Sequence, residues 1–348
     1  MKILIIRFSS IGDILLTTPI IRSLRIHYPQ AQIDFVTKKQ FSPLLENNPH
    51  LNNIITLDAK KSSYFQLIKR IRATHYDLVI DLHKKLLSML LSILVKHRTI
   101  IRYQKRHFYR QLLSHPKYFH HLKGIKSTVY LYASVLKKLR ISLDNNTLEL
   151  YTDDSKSMEI LAKFGISKNK YKIFISPGAT SYTKRYPAKL WAELINLIPF
   201  EWNPEIVLLG DDKDKSICNE IVRNANRSDG RAVSDKSIKN LAGITTLQDL
   251  IYLIDNSDIF LSNDSGPMHI ASALQKPQIA LFGGTSSKLG FAPINEKAVI
   301  LELDLKCRPC SLHGIKQCPK KHFKCMYNIK PTRIFSIIEK WRKVTKNA

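Results

Sequence analysis

The apolar residues of this chain form short runs that alternate with helical patterns. A short apolar run bounded by turns is typical of a strand buried on both faces, and strands that alternate with helices indicate βαβ units. In the first half we predict strands at 2–6, 32–38, 52–58 and 76–83, and helices at 14–24, 62–74 and 127–141. This half is therefore predicted to form a parallel sheet.

The alternation restarts after a polar, turn-rich stretch, so we place an interdomain linker around 145–170. Beyond it we predict strands at 171–179, 205–212, 258–264 and 277–284, and helices at 189–198, 246–257 and 266–275. A chain of 348 residues, 44% of them hydrophobic, suits two domains. We predict an α/β fold with two Rossmann-like, doubly wound parallel-sheet domains over 1–160 and 161–330, and a C-terminal amphipathic helix over 331–348.

Ligands of open α/β sheets bind at the carboxyl ends of the strands. Four polar segments follow predicted strands: RFSSIGD, SPGATSYTKRYP, LLGDDKDK and SNDSGPMH. If the two domains face each other, these segments line one central cleft.

The segment SNDSGPMHIASA has the pattern of a phosphate site at a helix N-terminus. Asp264, Ser265 and Gly266 close a predicted strand, Pro267 suits the first helical position, and His269 lies in the first turn. The N–H groups at such a terminus bind phosphate well. The alternative is an ordinary helix cap beside a surface histidine.

The segment SPGATSYTKRYP offers similar chemistry at an earlier strand end. Gly178 permits close backbone approach, Thr180 offers a hydroxyl, and Lys184 offers a positive charge. Such a turn by itself is usually only a turn, but the two segments together indicate a diphosphate site. No G-x-x-x-x-G-K-[ST] occurs, which excludes a P-loop, and no G-x-G-x-x-G follows a strand, which disfavours a dinucleotide oxidoreductase.

Asp13 is an isolated acid in the first strand-to-helix turn, beside Gly12. An acid there often caps the helix. A carboxylate at a cleft can also act as a general base that takes a proton from an incoming hydroxyl. A nucleoside diphosphate leaves as a stable anion, so one base would suffice.

The formal net charge is +27, with 55 Lys and Arg against 28 Asp and Glu. This excess favours a polyanionic partner. An alternative explanation is that the protein comes from an organism whose proteins are generally rich in lysine. The segment 96–126 has no acid and interleaves aromatic with basic residues, as in a nucleic-acid arm or a patch that faces lipid headgroups. We find no spanning helix and no signal peptide, and therefore expect a cytoplasmic protein.

Four of the five cysteines lie near the C-terminus, which argues against a secreted disulfide scaffold. They are compatible with a structural metal site or with a reduced loop, because their spacing is not that of paired C-x2-C knuckles. These residues are Cys307, Cys310, Cys318 and Cys325.

Several of these segments, in the same order, resemble the inverting heptosyltransferases of lipopolysaccharide assembly. The resemblance rests on RFSSIGDILLTTPIIRSLR, SPGATSYTKRYP, SNDSGPMHIASALQKPQIALFGGT and the C-RPC…CP…CM tail. It implies a GT-B fold with the acceptor on the N-terminal domain and the sugar nucleotide on the C-terminal one. It also implies transfer of a heptose from ADP-heptose to the Kdo-containing inner core on lipid A.

The resemblance also implies roles for individual residues. Asp13 matches the catalytic base, and Ser9, Ser10 and Gly12 are expected to contact the acceptor. Asp214 is a loose match to a ribose-binding acid, with Asp211 and Asp212 as competitors. The expected donor-binding residues are Thr180, Lys184, Asp214, Thr245, Asp264, Ser265, Gly266 and His269. We assign this site no cofactor and no metal.

The expected partners are ADP-heptose, the lipopolysaccharide acceptor and the anionic inner face of the membrane, where the protein would be peripheral. A related enzyme that uses another sugar nucleotide is one alternative. A basic nucleic-acid-binding protein is another, but no reader motif accompanies the basic segment, so we expect no nucleic-acid partner.

Overall fold

The computed structural model describes residues 1–58, 61–225 and 238–346. The chain forms two compact units. The first unit comprises Met1–His107 and Lys126–Tyr151, and the second comprises Phe108–Ile125 and Thr152–Ala348. The chain thus passes between the units after His107, after Ile125 and after Tyr151, and the last of these points lies nine residues before the boundary placed at residue 160.

The first unit contains a parallel sheet with the strand order β3-β2-β1-β4-β5. The central strand β1 has four consecutive buried apolar residues from Ile3 to Ile6, and its Ile3 pairs with Ile33 and Leu78 on either side. The strands are Lys2–Ile6 (β1), Gln32–Lys38 (β2), Asn53–Leu57 (β3), Tyr76–Asp81 (β4) and His97–Arg102 (β5).

The first 151 residues also form helices, and the two that lie between residues 107 and 119 belong to the second unit apart from His107. The helices are Ile11–Leu15 (α1), Thr18–His27 (α2), Lys61–Arg72 (α3), Leu86–Leu94 (α4), His107–Leu113 (α5), Pro116–Phe119 (α6), Thr128–Tyr132 (α7) and Ser134–Lys138 (α8), with a 3₁₀ helix at Lys39–Leu44.

The second unit contains a parallel sheet with the strand order β11-β10-β9-β6-β7-β8. Its strands are Tyr171–Ser176 (β6), Pro204–Leu208 (β7), Ile238–Asn240 (β8), Ile259–Asn263 (β9), Gln278–Phe282 (β10) and Ala298–Glu302 (β11). Its helices are Asp154–Lys163 (α9), Ala188–Asn196 (α10), Lys215–Ala225 (α11), Leu247–Asp255 (α12), Gly266–Ala273 (α13), Lys324–Tyr327 (α14) and Pro331–Lys346 (α15), with 3₁₀ turns at Tyr182–Lys184, Phe200–Trp202 and Asp212–Asp214.

Each sheet has one point where the strand order reverses direction. In the first unit it lies between β1 and β4, and in the second between β6 and β9. The connections on either side of such a point leave in opposite directions and open a crevice at the carboxyl ends of the strands, where ligands of doubly wound sheets bind. Both units therefore have the predicted doubly wound architecture.

The predicted helix at 14–24 is two helices, α1 and α2. Pro19 has no N–H to donate to the Leu15 carbonyl, and a proline is tolerated in the first turn of a helix but disrupts its interior, so a new helix begins here. The Thr17 and Thr18 hydroxyls instead donate to the carbonyls of Ile14 and Leu15, at 2.6 and 2.8 Å. The prediction over 127–141 is likewise split, at Ala133, and the predicted linker around 145–170 contains α9.

The C-terminal helix α15 belongs to the second unit. Its Ile334 and Ile338 are fully buried in the core that also contains Trp191 of α10. The Arg342 guanidinium lies over the rings of Tyr171 and Trp202, 4.3 and 5.1 Å from their centroids. In the described part of the chain, no helix is both long and apolar enough to cross a bilayer.

The basic segment 96–126 is folded. Its first part is the edge strand β5, whereas Phe108–Ile125 leaves the first unit and packs on the second. There Leu113 and Phe119 are buried against Leu289, and Ile125 forms a parallel bridge with the same residue. The expectations of an arm and of a location wholly in the N-terminal domain therefore do not describe this segment.

Candidate active site

Asp13 is the third residue of α1, at the carboxyl end of β1, and three side chains bind its carboxylate. Arg7 Nη2 lies 2.6 Å from Oδ2. The Tyr132 hydroxyl donates to Oδ1 at 2.9 Å, and the Ser10 hydroxyl donates to Oδ2 at 3.0 Å. The carboxylate is therefore held in one orientation from both sides.

Arg7 joins the two strand ends that flank the reversal point. It donates to the Ser9 carbonyl at 2.7 Å and to the Leu82 carbonyl, just past β4, at 2.6 Å. Its side chain is only 8% exposed, whereas the Asp13 side chain is 26% exposed. The buried cation thus orients a carboxylate that solvent or a substrate can reach.

Burial disfavours a charge on Asp13, but the Arg7 guanidinium and the hydrogen bonds from Tyr132 and Ser10 outweigh it and lower the pKa of this carboxyl. Asp13 is therefore ionised at neutral pH. Part of this support comes from Ser10, the N-cap residue of α1, so the Asp13 carboxylate also serves the start of the helix, as the capping interpretation expects. The bonds from Arg7 and Tyr132 go beyond what a cap requires.

His83 is a second polar side chain beside this pair. Burial, together with the nearby positive charges of Arg7 and Lys85, lowers the pKa of His83 to about 3, so its imidazole is neutral. The ring packs edge-on against Phe8, with 5.2 Å between the centroids. Because His83 carries no charge, the charged group that solvent can reach beside it is the Asp13 carboxylate.

The residues predicted to contact the acceptor lie in the same loop but differ in access. Ser10 is exposed next to the carboxylate and Ser9 is half-buried. Gly12 is buried within α1, where its carbonyl accepts from the Leu16 N–H at 2.9 Å. Of the three, Ser10 is the best placed for a side-chain contact.

At the reversal point of the second sheet, Lys184 meets Asp264. Lys184 follows β6 and Asp264 follows β9, and Nζ lies 3.0 Å from Oδ2. The Thr285 hydroxyl, beyond β10, donates to the same oxygen at 2.7 Å. The Lys184 side chain is 15% exposed and that of Asp264 is 8% exposed. Three strand ends thus contribute to one hydrogen-bonded group.

Helix α13 begins directly after this group. Ser265 occupies the N-cap position, but its hydroxyl makes no capping hydrogen bond and is buried without a partner among the described residues. Gly266 is the first helical residue. Pro267 is therefore the second helical residue, whereas the sequence predicted it to be the first. His269, in the first turn, is buried. The structure therefore brings the predicted phosphate-binding residues of this segment to the same sheet edge as Lys184.

Of the three acids after β7, Asp214 packs against the turn after β6. A Cβ atom on Gly178 would overlap the Asp214 carboxyl group, so this close approach requires glycine. Burial and the neighbouring Asp211 raise the pKa of Asp214. Asp211 caps the 3₁₀ turn, and the exposed Asp212 pairs with Lys215 at 2.6 Å. Asp214 is thus the acid of the three that lies against the turn after β6, and its role at a ribose stays a prediction.

The remaining predicted donor residues lie at the rim of this edge. Thr180 is exposed in the loop after β6, and Thr245 is half-buried in the loop after β8. The Gly243 N–H donates to the Gly210 carbonyl at 2.9 Å, which draws the loops after β8 and β7 together.

The comparison with known proteins decides the family. The profile of glycosyltransferase family 9, described as heptosyltransferase, matches residues 64–322. The chain belongs to glycosyltransferase family 9. This confirms the predicted resemblance and the prediction of a glycosyltransferase.

Two curated relatives and one solved structure extend the match. Lipopolysaccharide heptosyltransferase 3 of Escherichia coli is 32% identical over 79% of this chain and 81% of its own length. Lipooligosaccharide heptosyltransferase 2 of Campylobacter jejuni is 28% identical over 98% of this chain and 99% of its own. The structure of E. coli ADP-heptose lps heptosyltransferase II aligns over 100% of both chains with 24% identity and a TM-score of 0.79, which confirms the predicted GT-B fold.

The C-terminal tail of this family 9 glycosyltransferase supports the loops that carry Lys184 and Thr285. Arg308 is buried and donates to the carbonyls of Gly283 and Thr285, the latter at 2.6 Å. Thr183 Oγ1 accepts from the Ile315 N–H at 2.9 Å. The tail thus positions loops after β6 and β10, a role that the sequence did not reveal.

The cysteines of the tail are free thiols. Burial and the nearby Cys307 and Cys318 raise the pKa of Cys310 to about 11, and burial raises that of Cys325 to about 12. Cys307 Sγ lies 3.8 Å from Nε2 of His322. Within the described residues, no three His, Cys, Asp or Glu side chains form a group that could hold a metal ion.

Sequence reasoning missed four side chains at these two sites: Arg7, His83, Tyr132 and Thr285. Arg7 looked like an interruption of an apolar run, and Tyr132 lies 119 positions from Asp13. Neither local pattern nor spacing marks such partners. The signal available was positional, because Arg7 follows one predicted strand and His83 is the last residue of another, at the edge where ligands bind.

Proposed function

We propose that this glycosyltransferase transfers a heptose from ADP-heptose to the inner core of lipopolysaccharide, with inversion at the anomeric carbon. The names of the relatives support the sugar and the acceptor class. The observation that carries the chemistry is an ionised Asp13, oriented by Arg7 and Tyr132 at the carboxyl end of the first sheet.

In the proposed reaction the second unit binds the donor. An ammonium group has three N–H donors, so Lys184 can hold Asp264 and still donate to a diphosphate. Asp264 neutralises Lys184 only in part when the dianionic diphosphate of the donor arrives, and the N–H groups at the start of α13 help to stabilise the further negative charge that the departing ADP gains. Asp214 is proposed to accept a hydrogen bond from the ribose.

Asp13 is proposed to take the proton of the attacking hydroxyl. A carboxylate with a lowered pKa is a weak base, so it cannot deprotonate a free alcohol to any extent. The proton becomes acidic as the new C–O bond forms and the C–O bond to the diphosphate breaks. Asp13 then accepts that proton, while Lys184 offsets the charge left on the ADP.

The acceptor glycan is attached to lipid A, so we propose that the enzyme works in the cytoplasm, at the inner face of the membrane. Ser9, Ser10 and Gly12 are proposed to line the acceptor side. Thr180, Thr245 and His269 are proposed to complete the donor site.

A donor panel tests the proposal. The protein is incubated with ADP-, UDP- and GDP-linked sugars, with and without a Kdo-bearing lipid A acceptor, and products are weighed by mass spectrometry. We expect a gain of one heptose only with ADP-heptose and acceptor together, and a rise in Tm only with the ADP-linked donor. Transfer of a hexose from a UDP- or GDP-sugar at a higher rate would contradict the proposed donor.

A further inference from the structure

Helix α4 has its polar and apolar faces reversed. Ser88 and Ser92 are completely buried, whereas large apolar side chains of the same helix face solvent. Leu86 is 85% exposed and Ile93 is 62% exposed. The full exposed set on this helix is Leu86, Leu87, Met89, Leu90 and Ile93. A helix at the surface of a water-soluble domain normally shows the opposite arrangement.

Hydrogen bonds hold the helix in this orientation. The Ser88 hydroxyl donates to Asp81 Oδ2 at 3.2 Å, and Arg102 Nη2 donates to the Ser92 hydroxyl at 2.8 Å. Leu91, on the same buried side, packs in the core of the first unit. Rotation of α4 to cover its outer leucines would break both serine contacts and expose Leu91. The exposed apolar face is therefore built into the fold.

The neighbouring helix α3 extends this face. Its Phe65 is 75% exposed, and the Tyr64 hydroxyl donates to the Leu87 carbonyl at 3.0 Å, which ties the two helices together. We call the exposed apolar residues of both helices the α4 face: Phe65, Leu86, Leu87, Met89, Leu90 and Ile93. Large apolar side chains exposed together on one helix face, as in α4, mark an interaction site.

The charges around the α4 face are basic. Lys85 immediately precedes α4, and Lys96 and Arg98 follow it, all three exposed. Between residues 61 and 107 the sequence has only two acids, Asp77 and Asp81. Asp77 accepts from the Lys2 N–H, and Asp81 is fully buried. The residues between 61 and 107 therefore contain no cluster of exposed carboxylates that would repel an anionic surface.

We propose that the α4 face inserts into the headgroup region of an anionic phospholipid bilayer, with the surrounding lysines and arginines bound to lipid phosphates. Apolar side chains on one helix face with basic residues beside them are the usual pattern of an interfacial helix. Nine residues extend only about 14 Å, so α4 lies in the plane of the membrane rather than across it. Nucleic acid fits this surface poorly, since an aliphatic centre offers nothing to phosphates or bases.

This inference deepens the proposed function and rests on it only for the choice of an anionic membrane. The reversed helix and the basic surroundings do not depend on which sugar is transferred. Vesicle binding therefore tests it without donor or acceptor.

The experiment measures flotation of the full-length protein with vesicles of phosphatidylcholine alone or with phosphatidylglycerol. The test variants are Ile93→Gln and the double variant Leu90→Gln with Ile93→Gln. The matched control is Ile26→Gln, because Ile26 on α2 is 58% exposed in the same unit. We expect the double variant to reduce partitioning into anionic vesicles by about tenfold or more, and the control to leave it unchanged.

A charge variant separates the two contributions. Lys96→Gln with Arg98→Gln should weaken binding to anionic vesicles by about tenfold, with little effect on the residual binding to neutral ones. All variants should retain the wild-type Tm, since the changed side chains are exposed. Transfer to a deacylated, soluble acceptor should be unchanged in all of them, whereas transfer to acceptor in vesicles should fall with the double variant.

Three results would overturn the inference. The first is equal vesicle binding by wild type, test variants and control. The second is a wild-type dimer that Leu90→Gln with Ile93→Gln converts to a monomer, without any vesicle binding, which would assign the face to a second copy of the chain. The third is tight, salt-dependent binding to duplex or single-stranded nucleic acid in place of vesicles. Loss of heptose transfer with vesicle binding intact would instead count against the proposed function alone.

Discussion

The two sheets carry the same kind of ion pair at their reversal points, but with the roles exchanged. In the first unit the cation Arg7 is the more buried partner and the carboxylate of Asp13 the more exposed one. In the second unit the carboxylate of Asp264 is the more buried partner and the ammonium of Lys184 the more exposed one. One architecture thus presents a negative charge in one unit and a positive charge in the other.

The difference shows that the buried partner of an ion pair can fix the position and the charge of the more exposed partner. Arg7 is anchored to carbonyls of two strand ends, so it holds Asp13 in place and keeps it ionised. Asp264 is anchored by Thr285 and holds Lys184 in the same way. In the proposed reaction the first pair handles a proton and the second handles a leaving group. Each pair can be changed separately to test this assignment.

The largest effect is expected from Asp13→Asn. This change keeps the shape of the side chain but removes the charge that accepts the proton, so kcat should fall by about 10²- to 10⁴-fold. Donor affinity, measured by calorimetry with ADP, should stay within about twofold because Asp13 is not assigned to the donor site. Asp58→Asn removes a half-exposed carboxylate of the same unit outside the proposed site, so it is the control for the loss of one negative charge and should retain most of the activity. If Asp13→Asn lost ADP binding as well, the residue would be part of the fold rather than the base.

Lys184→Met should have the next largest effect, and this effect should be on the affinity for ADP rather than on kcat. It removes a charged hydrogen bond to the diphosphate, worth about 1.5–3 kcal/mol, so affinity for ADP should fall by about 10- to 100-fold. The exposed Lys189 on α10 offers a matched control, and Lys189→Met should leave the affinity unchanged. An unaltered Kd for ADP in Lys184→Met would show that the positive charge serves only to neutralise Asp264.

The smallest effect is expected from Tyr132→Phe, and it concerns pH. Although burial opposes ionisation of Asp13, its partners lower its pKa, so the base form persists to lower pH than an ordinary carboxylate allows. Without the Tyr132 hydroxyl this pKa rises, and the acidic limb of the kcat profile should move to higher pH with little change near neutrality. The matched variant Tyr130→Phe changes an exposed tyrosine on the same helix and should leave the limb in place. A shift in the basic limb alone would contradict the assignment of Asp13 as the base.

Strand positions and strand-end loops were predictable because each central strand is an apolar run that ends in polar residues. β2 has the predicted bounds, and Asp13, Lys184 and Asp264 all lie at the predicted sheet edge. The candidate site was predictable to the same degree, since a loop after a parallel strand reaches that edge whatever the tertiary detail. The roles of Asp13, Lys184 and Asp264 stay predictions, and the variants above test those of Asp13 and Lys184.

The partners of those residues were not predictable, because contact between distant segments leaves no local pattern. Tyr132 lies in a region predicted as one ordinary helix, and Thr285 ends a segment of the family resemblance without having been assigned a role. The mostly apolar run of α4, which Ser88 and Ser92 interrupt, shows the same limit, since such a run suits a buried strand or a buried helix equally well. Only the structure shows that its serines are inside and its leucines outside.

The passage of Phe108–Ile125 from the first unit to the second has a practical consequence for anyone who wishes to produce the halves separately. A fragment that stops at Tyr151 would carry Leu113 and Phe119 with no Leu289 to cover them, and would tend to aggregate. A fragment that starts at Thr152 would lack the same two side chains and leave a gap beside Leu289. Supplying 108–125 on the second fragment as a grafted segment is therefore the sounder route to isolated halves.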